Sequence, residues 1–413
     1  MLVPRYRGAR DWLPADMARF RRIEDTFRAL AAKYGYQEVR TPTLEYLHLF
    51  TAAGTLSPDQ LARVYSFLDW DGWSGERVAL RPDGTIPTAR LFLDSLQAGF
   101  GLHTARLCYV ENVFAFSNES GERERWQCGA ELLGGDETAA DAELLLLACQ
   151  VLGRLEAGPV VVRLSHAGLL KAVLRVLDLP SETESDFLDH LIAGHTTEAV
   201  RLADGQSEAA RLLPLLFGVE GEGPGFVRNL AALTAEPWPE VAVQLKRFLP
   251  LAETLTALER PYRIHLALDR GFEYYTGALF HLYVGDVRVG GGGRYDDLLP
   301  LIGGAPLAAS GFALYVNALL PLLQVPPEAE PRRLVVNARG RALAHAFRLA
   351  DGLRAEGWAV TLQVDGIPAD GHARVVVEEE GDMVRYRLRD GAGRDSVVLD
   401  QEAVLQWLRT SPR

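Results

Sequence analysis

The sequence predicts a protein of mixed helices and strands, with a helical insertion inside a large first part and a small second part behind it. Three observations carry this. Two long stretches repeat apolar residues at helical spacing, shorter apolar runs between them have strand length, and a proline-rich segment near residue 330 sets off the rest of the chain. With 413 residues the chain has room for two or three domains, and 48% apolar with 24% charged residues suits a folded protein with a sizeable core.

The elements follow in order. Met17, Phe20, Ile23, Phe27 and Leu30 mark a helix over about 15–33, with Pro14 ahead of it and Asp16 in the first turn, where the helix dipole favours an acid. Tyr34-Gly35-Tyr36 ends it, and Gln37 to Arg40 reads as a strand stopped by Pro42. Val64 to Leu68, Val78 to Leu80 and Leu107 to Val113 are further strands, and Thr138 to Leu155 is a second helix. From about 160 to 255 the texture turns to Leu/Ala-rich helical periods broken by Pro180, Gly194, Gly205 and the 221–225 segment, which reads as a helical insertion. Strand character returns at 263–268, 278–284 and 287–289, and a helix is expected over 312–323.

These elements make residues 1–325 one core, with 326–333 as linker and 334–413 as a small α/β domain. In the last, 334–338, 342–356 and 360–364 read as a β-α-β unit, followed by strands at 374–377, 384–388 and 397–399 and a helix at 402–408.

Composition excludes several function classes. Forty-three cationic against 55 acidic residues leave a net charge of −12, so the surface as a whole does not suit a polyanion. Lysine occurs only at Lys33, Lys171 and Lys246. Cys108, Cys128 and Cys149 are scattered without metal-type spacing, which points to a reducing cytoplasm rather than a disulfide framework. No secretion signal and no membrane-length apolar run is expected. The Gly290–Gly293 run lacks the lysine and hydroxyl of a nucleotide-binding loop, and its plain reading is a turn or strand that lets backbones approach closely. His190 and His195 are five apart, a poor spacing for ligands on one helix face, so no metal site is expected. Ser165-His166 lacks a nucleophile-elbow context, so no hydrolase triad is expected.

Four short stretches stand out: Arg81-Pro82-Asp83-Gly84-Thr85, Trp126-Gln127-Cys128-Gly129-Ala130-Glu131, Arg270-Gly271-Phe272-Glu273-Tyr274-Tyr275-Thr276-Gly277, and Gly290–Gly293 leading into Arg294-Tyr295-Asp296. Each alone reads as readily as a surface turn. Together, from Tyr6 to about Leu323, they resemble the catalytic core of histidyl-tRNA synthetase, a class II aminoacyl-tRNA synthetase. The resemblance implies an α+β fold, an antiparallel sheet flanked by helices, and a homodimer through the motif-1 region. It also implies a site for free histidine. Asp83, Thr85, Gln127 and Glu131 would receive the ammonium, Glu131, Tyr274 and Tyr275 the imidazole, and Arg270 the carboxylate. Asp83 stands where the synthetases carry glutamate.

Two synthetase arginines have no counterpart. The motif-2 alignment puts Ala115 at one and the motif-3 alignment puts Ala318 at the other, with Tyr315 and Asn317 at the flanking motif-3 positions. A positioned charge donor of this kind is worth roughly 3 kcal/mol or more to a transition state. Residues 334–413 hold 11 arginines, no lysine and 12 acids, a poor composition for gripping tRNA. The pattern resembles the regulatory subunits of ATP phosphoribosyltransferase, which lack aminoacylation activity and pair with a short catalytic subunit in the first step of histidine biosynthesis. That resemblance implies a non-catalytic histidine sensor with no cofactor and no tRNA. The alternatives are a divergent histidyl-tRNA synthetase and a tRNA-sensing pseudo-synthetase.

Overall fold

A computed structural model describes residues 4–52, 56, 61–70, 75–98, 104–116, 121–203, 207–267, 275–324, 333–339, 341–364, 374–380, 383–389, 395–398, 402–404 and 406. The chain divides into two compact units, Met1–Gln324 and Val325–Arg413.

The first unit opens on helix α1 (Pro14–Lys33), whose buried stripe of Phe20, Ile23, Phe27 and Ala31 follows the helical repeat. Strand β1 (Gln37–Glu38), strand β2 (Leu44–Tyr46), helix α2 (Leu47–Ala52) and the hairpin β3 (Ser66–Trp70) and β4 (Gly75–Leu80) come next. Helix α3 (Thr85–Gln97) had no counterpart among the expected elements. Asp83 explains its start, since its Oδ1 accepts the Ile86 N–H at 2.9 Å, and Pro87 sits in the first turn where it displaces no hydrogen bond.

The hairpin β5 (Ala105–Phe114) and β6 (Glu124–Leu133) leads into helix α4 (Glu137–Leu155), capped by the Asp136 carboxylate on the Ala139 N–H. Strand β7 (Val160–His166) corrects the expected insertion boundary. The Val160-Val161-Val162 run is β-branched and joins the sheet, and the helical texture begins only with α5 (Ala167–Leu177). Helices α6 (Ser181–Ile192), α7 (Thr196–Leu202), α8 (Ser207–Phe217), α9 (Gly223–Thr234) and α10 (Pro239–Ala257) complete the insertion. The chain returns through β8 (Arg263–Ile264), β9 (Ala278–Val284), β10 (Val287–Arg294), the short helix α11 (Leu298–Leu301) and β11 (Ala309–Tyr315), ending in helix α12 (Val316–Leu319).

The main sheet has the order β1-β5-β6-β11-β10-β9-β7-β8. Its central pairs are antiparallel, and only the two edge pairs, β1 with β5 and β7 with β8, run parallel. One face is covered by α1 and α4, against which Cys128, Ala130, Phe312 and Leu314 pack. The other face carries Gln127, Gly129, Glu131, Gly311 and Ala313, by the alternation of a strand. The expected helix over 312–323 is therefore corrected at its start: Phe312 to Tyr315 belong to β11, while Val316–Leu319 is α-helical and continues as a 3₁₀ turn over Leu320–Leu322. Phe312 meets the Phe27 ring edge-on at 6.4 Å while its neighbours Gly311 and Ala313 point the other way.

The second unit is a five-stranded sheet in the order β13-β12-β14-β15-β16, formed by β12 (Arg333–Arg339), β13 (Ala359–Val364), β14 (Arg374–Glu380), β15 (Met383–Arg389) and β16 (Asp395–Val398). Helix α13 (Leu343–Ala355) joins β12 to its parallel neighbour β13 and buries Ala346, Leu349, Ala350 and Leu353. The acidic run at 378–380 lies in β14, where Glu378 meets Arg339 at 2.9 Å. Among the described residues no helix is long and apolar enough to cross a membrane.

Candidate functional site

The face of the main sheet opposite α1 and α4, packed at one end against α3 and α11, holds a carboxyl group in an enclosed setting. Glu131 on β6 is 1% exposed and receives hydroxyls from three directions. Thr85 at the start of α3 donates to Oε1 at 2.8 Å, Tyr109 on β5 donates to the same oxygen at 3.1 Å, and Tyr295 donates to Oε2. Burial pushes the carboxyl up to about 8, the hydroxyl donors and the nearby Asp83 adjusting that rise. The close fit depends on missing Cβ atoms. A side chain at Gly129 would enter the Tyr109 ring, and one at Gly311, across the strand pair, would meet the Glu131 carboxylate.

Asp83 lies at the same mouth of α3, its carboxyl raised by burial to about 6. Gln127 is two residues along the Glu131 face, half-buried and paired across the strands with Tyr315. Tyr275 completes the group. Burial holds its phenol above the ordinary value, with Tyr315, Arg288, Glu131 and Asp83 as charged or ionisable neighbours.

Two buried networks hold these parts in place. Arg81, just before Asp83, pairs with Glu111 Oε2 at 2.7 Å and donates to the Asn112 and Thr41 carbonyls, tying β4 to β5. Glu111 in turn accepts the Thr41 N–H at 2.6 Å. Arg294, at the end of β10, pairs with Asp141 of α4 at 2.8 Å and with Asp296 at 3.0 Å, and Ser310 also donates to Asp141. This network fixes the backbone on either side of Tyr295 and so fixes its hydroxyl.

A family model of histidyl-tRNA synthetase matches residues 8–319, which include every residue above. An ATP phosphoribosyltransferase regulatory subunit of Dehalococcoides mccartyi is 44% identical over 384 residues, spanning 88% of this chain and 92% of its own. The chain belongs to the ATP phosphoribosyltransferase regulatory subunits of the histidyl-tRNA synthetase family. A histidine–tRNA ligase of Pyrococcus horikoshii is more distant, at 29% identity over 392 residues, with 88% of this chain and 86% of that one covered. A crystal structure from Bacillus halodurans, described as an ATP phosphoribosyltransferase regulatory subunit/histidyl-tRNA synthetase, matches with a TM-score of 0.73 and 26% identity, over 89% of this chain and 95% of that one. The class II synthetase-like fold expected from the motifs is thus present.

Of the seven residues assigned to a ligand by resemblance, Asp83, Thr85, Gln127, Glu131 and Tyr275 are brought together, while Arg270 and Tyr274 lie outside the described residues. Tyr109 and Tyr295 were not assigned, although each donates to Glu131. The signal for Tyr295 was its place directly after the glycine run and Arg294. Nothing in the local pattern of 105–114 singled out Tyr109.

The two arginine-less positions have other surroundings. Ala115 donates its N–H to the Arg123 carbonyl at 3.1 Å, and Ala318 is half-buried in α12. Asn317 clips β6 instead, its Oδ1 accepting the Trp126 N–H at 2.9 Å. The Arg288 guanidinium lies over the Tyr315 ring at 5.8 Å, a cation–aromatic pair beside Tyr275.

Proposed function

We propose that this chain is the non-catalytic, histidine-binding subunit of an ATP phosphoribosyltransferase, activating a short catalytic subunit and conveying feedback inhibition by histidine. One observation carries the reading: a buried carboxyl group ringed by hydroxyls stands where the resemblance puts the amino-acid ligand, while positions 115 and 318 hold alanine. Glu131, giving up its retained proton as a cation binds, and Tyr275 suit a cationic, hydrogen-bonding ligand, and Asp83, Thr85 and Gln127 line the same mouth. Arg270 and Tyr274 are assigned to the ligand by resemblance. A site of this kind rejects ligands that leave its polar groups unpaired.

Without arginines at 115 and 318, ATP activation lacks its charge donors, which favours a binding role over aminoacylation. The names of the relatives at 44% identity support the regulatory-subunit assignment; a cytoplasmic location and the absence of tRNA binding belong to the same proposal. The homodimer expected through the motif-1 region is supported by exposed Leu44, Tyr46, Phe67, Leu68 and Trp70 on β2 and β3.

The test is phosphoribosyl transfer by the short catalytic subunit of the same organism, with and without this chain, across a histidine titration. Activity that needs both chains and falls with histidine is expected. Absence of both responses overturns the reading, and histidine-dependent ATP–pyrophosphate exchange by the pure chain would replace it with a synthetase.

A further inference from the structure

On the α4 side of the main sheet, away from the Glu131 pocket, lies a cavity that the proposed function does not use. It sits where the insertion returns to the core, between α4, the start of β7 and the end of α10, and measures about 160 Å³. Leu145, Leu146 and Cys149 line it from α4, Val160 and Val162 from β7, and Leu255 from α10. The Cys149 thiol belongs with these apolar groups, since burial pushes it up to about 11 and it keeps its proton.

The mouth of this cavity carries a cation. Helix α10 is capped by Leu258, and Glu259 then turns the chain back in the left-handed region at φ 52°, so that the Arg260 N–H reaches the Leu255 carbonyl at 2.9 Å. That turn sets Arg260 at the opening with Pro261 and Tyr262, and the Tyr262 hydroxyl anchors the segment by donating to the Ala252 carbonyl at 2.7 Å. The exposed Arg260 side chain forms no ion pair and no hydrogen bond among the described residues. Glu143, which shares Tyr34 with it as an electrostatic neighbour, is already held by Arg106 through two contacts of 2.9 and 3.0 Å.

We infer that this cavity binds a small monocarboxylic acid with a compact apolar body, its carboxylate on Arg260 and its body among the side chains of α4, β7 and α10. The volume suits such a ligand. An apolar cavity of about 150 Å³ takes up benzene, and it leaves a water molecule short of the polar partners it needs. The charge suits it as well: a planar guanidinium fork matches the two oxygens of a carboxylate, and apolar walls favour a singly charged ligand over a phosphate. Bound there, the acid touches both the last helix of the insertion and the core helix α4, and so ties the two together.

The experiment is calorimetric titration of the full-length protein with phenylacetate, alongside phenylacetamide, which keeps the body without the charge, and acetate, which keeps the charge without the body. Saturable binding of phenylacetate is expected, tighter than either analogue by about tenfold or more. Arg260→Gln should weaken phenylacetate by about tenfold and leave phenylacetamide unchanged, while Leu146→Trp, which fills the cavity, should abolish phenylacetate binding. No saturable binding of phenylacetate overturns the site, and so does equal affinity in wild type and in Arg260→Gln, an exposed replacement that leaves the packing intact. A folded Leu146→Trp that binds as wild type does, or displacement of phenylacetate by histidine, places the acid elsewhere and overturns it too. The histidine response of the complex tests the regulatory reading separately, and neither result decides the other.

Discussion

Replacing Glu131 by glutamine should make the protein more stable in alkaline solution, although it removes the group proposed to hold the ligand. Burial lifts the carboxyl from an ordinary 4.5 to about 8. Between those values the folded chain holds a proton that the unfolded chain has released, so stability falls as pH rises. The contribution is complete below about pH 4.5 and lost by about pH 8. A rise of this size corresponds to at most about 5 kcal/mol, the cost of an ionised Glu131 in this enclosure. Asp83 and Asp141, each raised from 3.8 to about 6, add slope of the same sign at lower pH. Both are present in either protein and cancel in the comparison.

Glutamine carries no such cost and can satisfy the same partners. Its carbonyl accepts from Thr85 and Tyr109 as Oε1 does now, and its amide can donate to the Tyr295 oxygen. Thermal unfolding of wild type and Glu131→Gln from about pH 4 to pH 9 is the assay. The two should melt together at the acid end. At the alkaline end the variant should melt higher by about 5–10 °C, allowing about 1–2 °C per kcal/mol for a unit of this size. Parallel curves across the whole range would refute the argument that Glu131 is held in a desolvated, proton-retaining site.

Three further outcomes follow from the same contacts. Tyr295→Phe removes a donor to Glu131 and should weaken histidine binding by about 1.5–3 kcal/mol, ten- to a hundredfold, with an unchanged dissociation constant in calorimetry counting against the pocket. Arg81→Met leaves Glu111 buried without its cation and should cost about 3–5 kcal/mol, read from denaturant unfolding; a loss under 1 kcal/mol would show the pair to be dispensable. Gly129→Ala drives a methyl group into the Tyr109 ring and should cost about 1–3 kcal/mol while weakening histidine binding, whereas Ser at exposed Gly153 should change neither.

How far the site could be read in advance depended on where the partners of each residue lie. Thr85 and Glu131 stood out because they sit inside short, chemically dense stretches. The interaction that defines Glu131 joins it to residues 46, 22 and 164 positions away, and only folding discloses it. Residues 312–315, the end of a strand, read as helix for a related reason. Phe312, Tyr315, Val316, Leu319 and Leu323 fall at helical intervals, and Gly311 and Ala313 give no polar alternation. At Gly311 smallness leaves room for the Glu131 carboxylate, so the alternation is one of large against small rather than apolar against polar. The α1 and α4 helices were legible because each presents one apolar face to a single sheet.

A sensor must do more than bind, since a ligand shifts an equilibrium only by its different affinity for the two states. The segment from Tyr275 to Gly277 is where such a difference can arise. Lys171 on α5 donates to the Tyr275 carbonyl at 2.8 Å, the Ala167 N–H donates to the Gly277 carbonyl at 2.8 Å, and the Thr276 N–H donates to the Arg294 carbonyl at 2.7 Å. A ligand held by both Glu131 and Tyr275 therefore joins the sheet to the first helix of the insertion. One charge-assisted hydrogen bond, about 1.5–3 kcal/mol, is of the same size as a typical coupling free energy of 1–3 kcal/mol. Lys171→Met should then leave histidine binding by calorimetry nearly unchanged while inhibition of the complex weakens severalfold. Equal loss of binding and inhibition would place Lys171 in the pocket itself, and loss of neither would remove α5 from the path between ligand and partner.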